Sequence, residues 1–277
     1  MSYTLVEPCS GSAAFTLHLL GATRSILPYQ GSKWRFRRGL QERAEALGFR
    51  GCPARVVLTD PGPWGRTLGV ILEPTSRAAL IARLQALADE DARTVFERLQ
   101  GATTATDDVG FASEFLFLQR LSFSGKAVGT REGCWVSPGF NTSSAYGLAA
   151  TDRFGKVNPM VPSLIKVLES YHSRLAPVTA DVQCIPAAAP TALDGPTLVY
   201  LDPPYIGSTA YPDGQMDRDA VVALAEAWAG LGAAVMISEQ HGLPLLFWQR
   251  ERLSRGRDDT SPFRGKQQEW LTFTPAR

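Results

Sequence analysis

Residues 198–205 read Leu-Val-Tyr-Leu-Asp-Pro-Pro-Tyr, and this stretch decides the fold of the chain. The first four residues are apolar or aromatic, which predicts a short strand that is buried on both faces. The strand has to end at the two prolines, because proline has no N–H to donate to a neighbouring strand. In an open α/β sheet, ligands bind at the carboxyl ends of the strands. The sequence therefore predicts a ligand site where Asp202, a rigid turn and Tyr205 stand together.

Strands and helices alternate on either side of this stretch. The predicted strands are 4–7, 54–60, 179–185, 233–238 and 269–273, of which the last is expected to be antiparallel. The predicted helices are 15–20, 76–100, 111–123, 162–175 and 217–231, with Ser76 as the N-cap of the second. This alternation predicts an α/β fold, a Rossmann-like mostly parallel sheet with helices on both faces.

Composition narrows the class of protein. Hydrophobic residues make up 44% and charged residues 20% of the 277 residues, which is typical of a globular protein. No apolar run reaches the roughly 18 residues of a membrane span, and no signal peptide is evident at the N-terminus. The four cysteines and three histidines show no metal-ligand spacing. We therefore expect a cytoplasmic protein that binds neither a membrane nor a metal. The net charge of +1 leaves nucleic-acid binding open, because a local basic face matters more than the total.

The first segment has the form of a nucleotide-binding unit. A predicted strand runs into the small-residue turn 8–13, and a predicted helix follows. Small residues let the backbone approach a ligand closely. Asp60 ends the second predicted strand, where an acid commonly accepts hydrogen bonds from ribose hydroxyls. The alternative for Asp60 is a turn-former before Pro61.

Asp202-Pro203-Pro204-Tyr205 resembles the catalytic motif of the DNA amino-methyltransferases. The resemblance extends to the Dam-like DNA adenine methylases through residues 6–13, which are similar to that family's S-adenosylmethionine loop. Cys9 stands where the family usually has a Phe, and Ala13 stands where it has a Gly. Asp60 matches the family's ribose-binding acid.

Two further stretches add to the resemblance. Residues 28–33, Pro-Tyr-Gln-Gly-Ser-Lys, are similar to the motif that contacts the methionine end of the cofactor, and the alternative for Lys33 is a solvated residue among neighbouring arginines. Residues 115–125 resemble the family's apolar helix and turn. The lysine motif usually precedes the cofactor loop in the family but follows it here, so the cofactor motifs stand in permuted order.

The resemblance implies an adenine-specific DNA methyltransferase that transfers a methyl group from S-adenosylmethionine to the N6 amine of a flipped adenine. Asp202 and the Pro203 carbonyl would accept hydrogen bonds from the amine, and Tyr205 would stack on the base. The implied catalytic residues are Asp202, Pro203, Pro204 and Tyr205. The implied cofactor-binding residues are Glu7, Pro8, Gly11, Ser12, Tyr29, Gly31, Lys33, Asp60 and Asp202.

The resemblance also implies a division of the chain. Residues 1–99 and 161–277 would form the catalytic domain, and 100–160 a helical and loop insertion that recognises the double-stranded DNA target. The candidate DNA-binding residues in the insertion are Arg120, Lys126, Arg131, Asn141 and Ser143. Two alternatives stay open: an amino-methyltransferase for cytosine N4 or RNA, and a catalytically silent nucleic-acid-binding protein of the same fold.

Overall fold

Seven strands form one sheet and two more form a hairpin in the part of the chain that the structure describes. This computed structural model describes residues 2–27, 32–123, 126–141, 160–185, 187–204, 217–240, 243, 245–253 and 269–275. The strands are β1 (Thr4–Glu7), β2 (Arg55–Thr59), β3 (Gly129–Arg131), β4 (Cys134–Val136), β5 (Thr179–Gln183), β6 (Thr197–Leu201), β7 (Ala234–Glu239), β8 (Gln249–Arg252) and β9 (Trp270–Phe273). The helices are α1 (Ala14–Leu19), α2 (Arg37–Ala46), α3 (Pro63–Leu72), α4 (Pro74–Ala88), α5 (Ala92–Leu99), α6 (Asp108–Leu121), α7 (Met160–Arg174) and α8 (Arg218–Gly230), with a short 3₁₀ helix (Lys33–Phe36) before α2.

The sheet has the strand order β5-β2-β1-β6-β7-β9-β8. Its first five strands are parallel. β9 is antiparallel to both of its neighbours, which confirms the predicted antiparallel last strand. The order reverses between β1 and β6, since β1 continues to β2 and β5 while β6 continues to β7. A mostly parallel, Rossmann-like sheet is therefore confirmed, and its topological switch point lies between β1 and β6.

Successive residues of the central strands belong to two different cores. In β1, Leu5 packs in the core with α1 to α7, and Val6 packs in the core with α8. In β6, Tyr200 packs in the core with α1 to α7, and Leu201 packs in the core with α8. Because successive side chains of a strand point to opposite faces, helices cover both faces of the sheet. Burial on both faces is why these strands are continuously apolar in sequence.

The long helix predicted for residues 76–100 is wrong in two respects. The structure has two helices, α4 and α5, because Asp91 accepts a hydrogen bond from the Thr94 N–H and begins a new helix. The N-cap of α4 is Glu73 and not Ser76, since the Glu73 carboxylate accepts from the backbone N–H groups of Thr75 and Ser76. No helix within the described ranges is long and apolar enough to cross a membrane.

Three elements have no counterpart among the predictions. α2 buries only Leu40 and Ala44, which is too narrow an apolar stripe to stand out among its charges. α3 follows a Pro-Gly-Pro turn and has Pro63 in its first turn, where proline is tolerated. β8 has no apolar alternation because it is an edge strand, and it is tied to α2 by Arg43, whose Nε donates to Glu251 Oε1 at 3.0 Å.

The region predicted as an insertion begins with α6 and a hairpin. A two-residue turn joins β3 and β4, and both of its residues have positive φ, 52° at Glu132 and 75° at Gly133. Trp135 of β4 is buried, with its ring centroid 4.8 Å from that of Phe111 in α6. The Trp135 indole N–H donates to Glu114 of α6 at 2.7 Å. The hairpin therefore packs on α6 and shares the core of α1 to α7.

Candidate active site

The carboxyl ends of four neighbouring strands meet at the switch point. β1 pairs with β2 and with β6, and β6 pairs with β7. Polar residues stand at the ends of all four strands: Glu7, Asp60, Asp202 and Ser238. The strand order thus brings together side chains that are far apart in the sequence.

Asp202 forms the centre of the site. Its Oδ1 lies 2.6 Å from Lys33 Nζ and accepts a hydrogen bond from the Ser238 hydroxyl at 3.0 Å. Glu269 is a second carboxylate on the same lysine, with Oε1 3.4 Å from Nζ. The side chains of Lys33 and Glu269 are 5% and 6% exposed, and that of Asp202 is 21% exposed. A buried ammonium therefore lies between two carboxylates, of which Asp202 is the one that reaches solvent.

The two oxygens of Asp202 are used differently. Lys33 and Ser238 both contact Oδ1. The Tyr200 hydroxyl lies 3.0 Å from Ser238 Oγ, and because the Ser238 proton goes to Asp202, Tyr200 is the donor in this pair. Among the described residues nothing contacts Oδ2 of Asp202. Oδ2 is therefore the acceptor that the site offers to a ligand.

Burial and charge act in opposite directions on the acids of the site. Burial raises the pKa of Asp202, and the charge and hydrogen bond of the Lys33 ammonium lower it. Burial raises the pKa of Glu7 to about 8. Burial, with a smaller contribution from the Asp202 charge, raises the pKa of Glu239 to about 7. The net effect on Asp202 is a raised pKa, and Lys33 and, to a smaller degree, the Ser238 hydrogen bond favour its ionised form.

The turn after β1 is fastened to the end of β2. The Ser10 N–H donates to the Thr59 carbonyl at 3.0 Å, and the Thr59 hydroxyl donates to the Pro8 carbonyl at 2.9 Å. The Gly11 N–H donates to Asp60 Oδ2 at 3.0 Å. Asp60 Oδ1 accepts from the Gly62 N–H at 2.9 Å. Asp60 therefore fixes two backbone segments, and its carboxylate oxygens still have lone pairs for a ligand.

The same turn has the features of a ligand cradle. A Cβ added at Gly11, which has a φ of +47°, would meet no atom within 4 Å, so the backbone borders open space there. The buried Ser10 hydroxyl oxygen has no hydrogen-bond partner among the described residues, which is rare for a buried polar group. Ala13 adopts a left-handed conformation, with a φ of 47°, so this turn has the backbone that a glycine adopts at no cost.

Cys9 is the thiol nearest to this chemistry. Burial, together with the charges of Asp202 and Asp60, raises its pKa to about 12. The thiol is therefore protonated at neutral pH, and a thiol is a far weaker nucleophile than a thiolate. Its surroundings therefore disfavour the thiolate form of Cys9.

The structure brings most of the predicted catalytic and cofactor residues to one place. Lys33 contacts Asp202 directly, a contact that the sequence did not predict. Pro203 is buried and Pro204 is half-buried directly after β6. Pro8 and Ser12 belong to the turn after β1. The predictions for Tyr29, Gly31, Tyr205 and Ser143 lie outside the described residues.

The predicted DNA-binding residues of the insertion divide into two groups. Arg120 is half-buried, and its Nε donates to the Met160 carbonyl at 2.9 Å, so it connects α6 to α7. Asn141 is only 4% exposed. Lys126 and Arg131 are exposed, the latter at the tip of the β3–β4 hairpin. Asn141 is therefore buried in this structure, whereas Lys126 and Arg131 face solvent.

Three residues of the site were not predicted from the sequence: Tyr200, Ser238 and Glu269. Glu269 could have been predicted from the sequence. It stands just before a strand predicted to be antiparallel, and such a strand begins beside the carboxyl ends of its parallel neighbours. The signal for Ser238 is a hydroxyl at the end of an apolar strand, which also occurs at ordinary strand ends. Nothing in the sequence marks Tyr200 as a site residue, since an aromatic residue in a buried strand is typical of a core.

The fold and the site define an α/β protein with a ligand site at the switch point of a Rossmann-like sheet. No protein-family model matches the chain, and no curated protein matches its sequence significantly. Within the described residues, no group of three or more His, Cys, Asp or Glu side chains is arranged to hold a metal ion. The function is therefore inferred from the geometry around Asp202.

Proposed function

We propose that this protein is an S-adenosylmethionine-dependent methyltransferase that modifies the N6 amine of adenine in DNA. The observation that carries the proposal is the asymmetric use of the Asp202 carboxylate, because Lys33 and Ser238 both contact Oδ1 and no described residue forms a hydrogen bond or ion pair with Oδ2. An acceptor of this kind, followed by a Pro-Pro turn, suits the recognition of an exocyclic amine. It lies at the switch point, where ligands bind in this class of sheet.

The strand order supports the same proposal. When the strands of the large sheet are numbered along the chain, they lie in the order 3-2-1-4-5-7-6, and the seventh is antiparallel. The first five positions follow the doubly wound order of nucleotide-binding sheets, which suits the Rossmann-like fold that the sequence resemblance implies. The permuted order of the cofactor motifs is compatible with it, because the turn after β1 and Lys33 lie around the same strand ends.

The turn after β1 fits the cofactor. Asp60 would accept from the ribose hydroxyls, and the unpartnered Ser10 hydroxyl would gain a partner from the bound molecule. Lys33 remains a candidate for the cofactor carboxylate, although its ammonium already contacts Asp202 and Glu269. When bound, S-adenosylmethionine supplies an electrophilic methyl group. The chain's own residues orient the amine and remove water from around it.

Asp202 would make the amine a better nucleophile. The lone pair of an exocyclic amine is delocalised into the ring, and hydrogen bonds from its two N–H groups to Asp202 Oδ2 and the Pro203 carbonyl would localise it on nitrogen. The ionised carboxylate would also stabilise the positive charge that develops on this nitrogen during attack. Lys33 favours that ionised form. Positioning and electrostatic stabilisation would then supply most of the catalysis.

The test is Asp202→Asn, which keeps the shape of the side chain and removes its charge. We expect methyl transfer to fall by roughly 100- to 1,000-fold, the usual effect of removing one stabilising group. Binding of S-adenosylmethionine, measured by calorimetry, should persist. A matched control is Asp194→Asn, since Asp194 is exposed in the loop before β6. Full activity of Asp202→Asn, or a wild type that binds no S-adenosylmethionine, would refute the proposal.

Product analysis identifies the target. Methylated DNA is digested to nucleosides, and we expect N6-methyladenosine in its deoxy form. N4-methylcytosine or a methylated RNA nucleoside would assign the site to a different amine with the same chemistry. The absence of any methylated product, together with tight DNA binding, would identify a catalytically silent binding protein.

A further inference from the structure

We infer that a rim of arginines beside the candidate active site contacts the phosphate backbone of the DNA substrate. The arginine rim consists of Arg35 in the 3₁₀ helix, Arg38 in α2 and Arg252 at the end of β8. All three side chains are exposed. The inference rests on the proposed function, because it names the surface by which the same site would meet its substrate.

Charge is concentrated on this rim. Residues 33–38 read Lys-Trp-Arg-Phe-Arg-Arg and contain four cations and no acid, whereas the whole chain has a net charge of +1. A phosphate backbone is attracted by a local cluster of this kind, whatever the total charge of the protein. Arginine also matches phosphate geometry through two parallel hydrogen bonds.

Both parts of the rim lie close in the chain to residues that contact the active site. Lys33, which contacts Asp202, lies two residues before Arg35. Glu269, the second partner of Lys33, accepts the backbone N–H of Leu253 at 2.9 Å through its carbonyl, directly after Arg252. Arg35 and Arg252 are therefore each within two residues of a residue that is bonded to one end of the Lys33–Glu269 contact or belongs to it.

The 3₁₀ helix is a rigid base for these charges. Phe36 is buried, and the Ser32 hydroxyl accepts from the Trp34 N–H at 3.4 Å. Arg37 is held in place, because its guanidinium donates to the Trp34 carbonyl at 2.8 Å and lies 4.7 Å from the centre of the Trp34 ring. Arg37 thus supports the element, while Arg35 and Arg38 extend from it into solvent.

This surface is distinct from the hairpin of the insertion. Lys126 and Arg131 belong to the region between α6 and β4, whereas the arginine rim belongs to the 3₁₀ helix, α2 and the edge strand β8. A duplex that delivers a flipped base to Asp202 has phosphates on both sides of that base. The rim would hold one flank of the target, and the hairpin would be free to read the other.

The experiment measures binding of the full chain to a 30-base-pair duplex by fluorescence anisotropy over a series of salt concentrations. The logarithm of the binding constant falls linearly with the logarithm of salt, with a slope of about −0.9 for each phosphate contact. We expect the double variant Arg35→Gln/Arg252→Gln to reduce the magnitude of this slope by about 1.8. The variant Arg35→Lys/Arg252→Lys keeps both charges and should restore the slope.

The matched control is Arg50→Gln, because Arg50 is exposed but lies before the amino end of β2, whereas the candidate site lies at the carboxyl ends of the strands. We expect the control to bind with the wild-type slope. If the double Gln variant also has the wild-type slope while the wild type methylates DNA, the rim is not a phosphate surface and the proposed function stands. If the wild type neither binds the duplex nor methylates it, both the rim and the proposed function are refuted.

Discussion

At the scale of single residues, one carboxylate defines the site. Lys33 and Ser238 fix Oδ1 of Asp202, whereas Oδ2 forms no hydrogen bond or ion pair with the described residues. Tyr200 stands behind Ser238 and is 1% exposed, so its hydroxyl depends on the serine for a partner. The orientation of Asp202 therefore rests on a chain of hydroxyl groups inside the core.

A double-mutant cycle tests this chain of hydroxyls. Ser238→Ala leaves the Tyr200 hydroxyl buried and unpaired, and we expect it to lower the free energy of unfolding by about 1–3 kcal/mol. Tyr200→Phe should cost less, because Ser238 still donates to Asp202. When Ser238 is already alanine, the further change Tyr200→Phe should cost almost no stability. The difference from its cost in the wild type corresponds to a coupling energy of about 1 kcal/mol. Urea denaturation measures all three variants.

Tyr3→Phe is the control for this cycle. The Tyr3 hydroxyl donates to the Gly51 carbonyl at 3.1 Å, away from Ser238. Its effect should add to that of Ser238→Ala within about 0.5 kcal/mol, as for independent sites. If the effects of Tyr200→Phe and Ser238→Ala on stability also add, the two hydroxyls do not belong to one hydrogen-bonded chain.

At the scale of elements, the turn after β1 depends on β2 for its position. Thr59 is fully buried at the end of β2, and its hydroxyl connects two segments. It donates to the Pro8 carbonyl at 2.9 Å and accepts from the Ala188 N–H at 3.1 Å. A strand residue that is not expected to touch the ligand therefore determines the path of the loop that would bind it.

Thr59→Val tests the dependence of the loop on β2. Valine has nearly the same shape, so the variant removes the hydroxyl and leaves two backbone groups without this partner. We expect the free energy of unfolding to fall by about 1–3 kcal/mol and the dissociation constant for S-adenosylmethionine to rise. Chemical denaturation and calorimetry measure the two effects.

Thr67→Val is a matched control for the loss of a buried hydroxyl. Thr67 in α3 is also fully buried, but its hydroxyl oxygen has no hydrogen-bond partner. Replacing an unpaired buried polar group with an apolar one of the same shape should be neutral or stabilising. If the two variants lose equal stability, the hydrogen bonds of Thr59 do not hold the loop.

At the scale of the whole molecule, the protein carries acids where its stability would favour apolar side chains. Glu7 is 2% exposed at the end of β1, and its Oε1 accepts from the Thr16 N–H at 2.8 Å. Burial raises its pKa from 4.5 to about 8. Between these two values the folded protein holds a proton that the unfolded chain has released.

The pH dependence of stability follows from this difference. Because the folded state binds more protons, Glu7 makes the free energy of unfolding fall as pH rises from about 4.5 to about 8, by up to about 1.4 kcal/mol per pH unit. Glu7→Gln removes the charge and keeps an acceptor for Thr16. We expect its stability to decline less steeply than that of the wild type in this window, as measured by urea denaturation at several pH values. Parallel curves for the two proteins would contradict a protonated Glu7 in the folded state.

The sequence by itself determined the class of fold and the location of the ligand site. Continuous apolar runs such as 198–201 indicate strands buried on both faces, and the two-core alternation at Leu5 and Val6 follows from that. Helix boundaries were predictable where a cap stands before an amphipathic stretch, as at Asp217 before α8. They were not predictable across residues 76–100, because helical periodicity continues on both sides of the short break before α5.

Only the tertiary structure decided which groups surround Asp202. Ser238 lies 36 residues away from it in the chain, and Lys33 and Glu269 come from opposite ends of the sequence. A contact between remote residues depends on strand order and register, and each local stretch of sequence is compatible with several orders and registers. The hydrophobic pattern thus determines that a carboxylate stands at the end of β6, and the packing of the sheet determines which of its oxygens Lys33 and Ser238 contact.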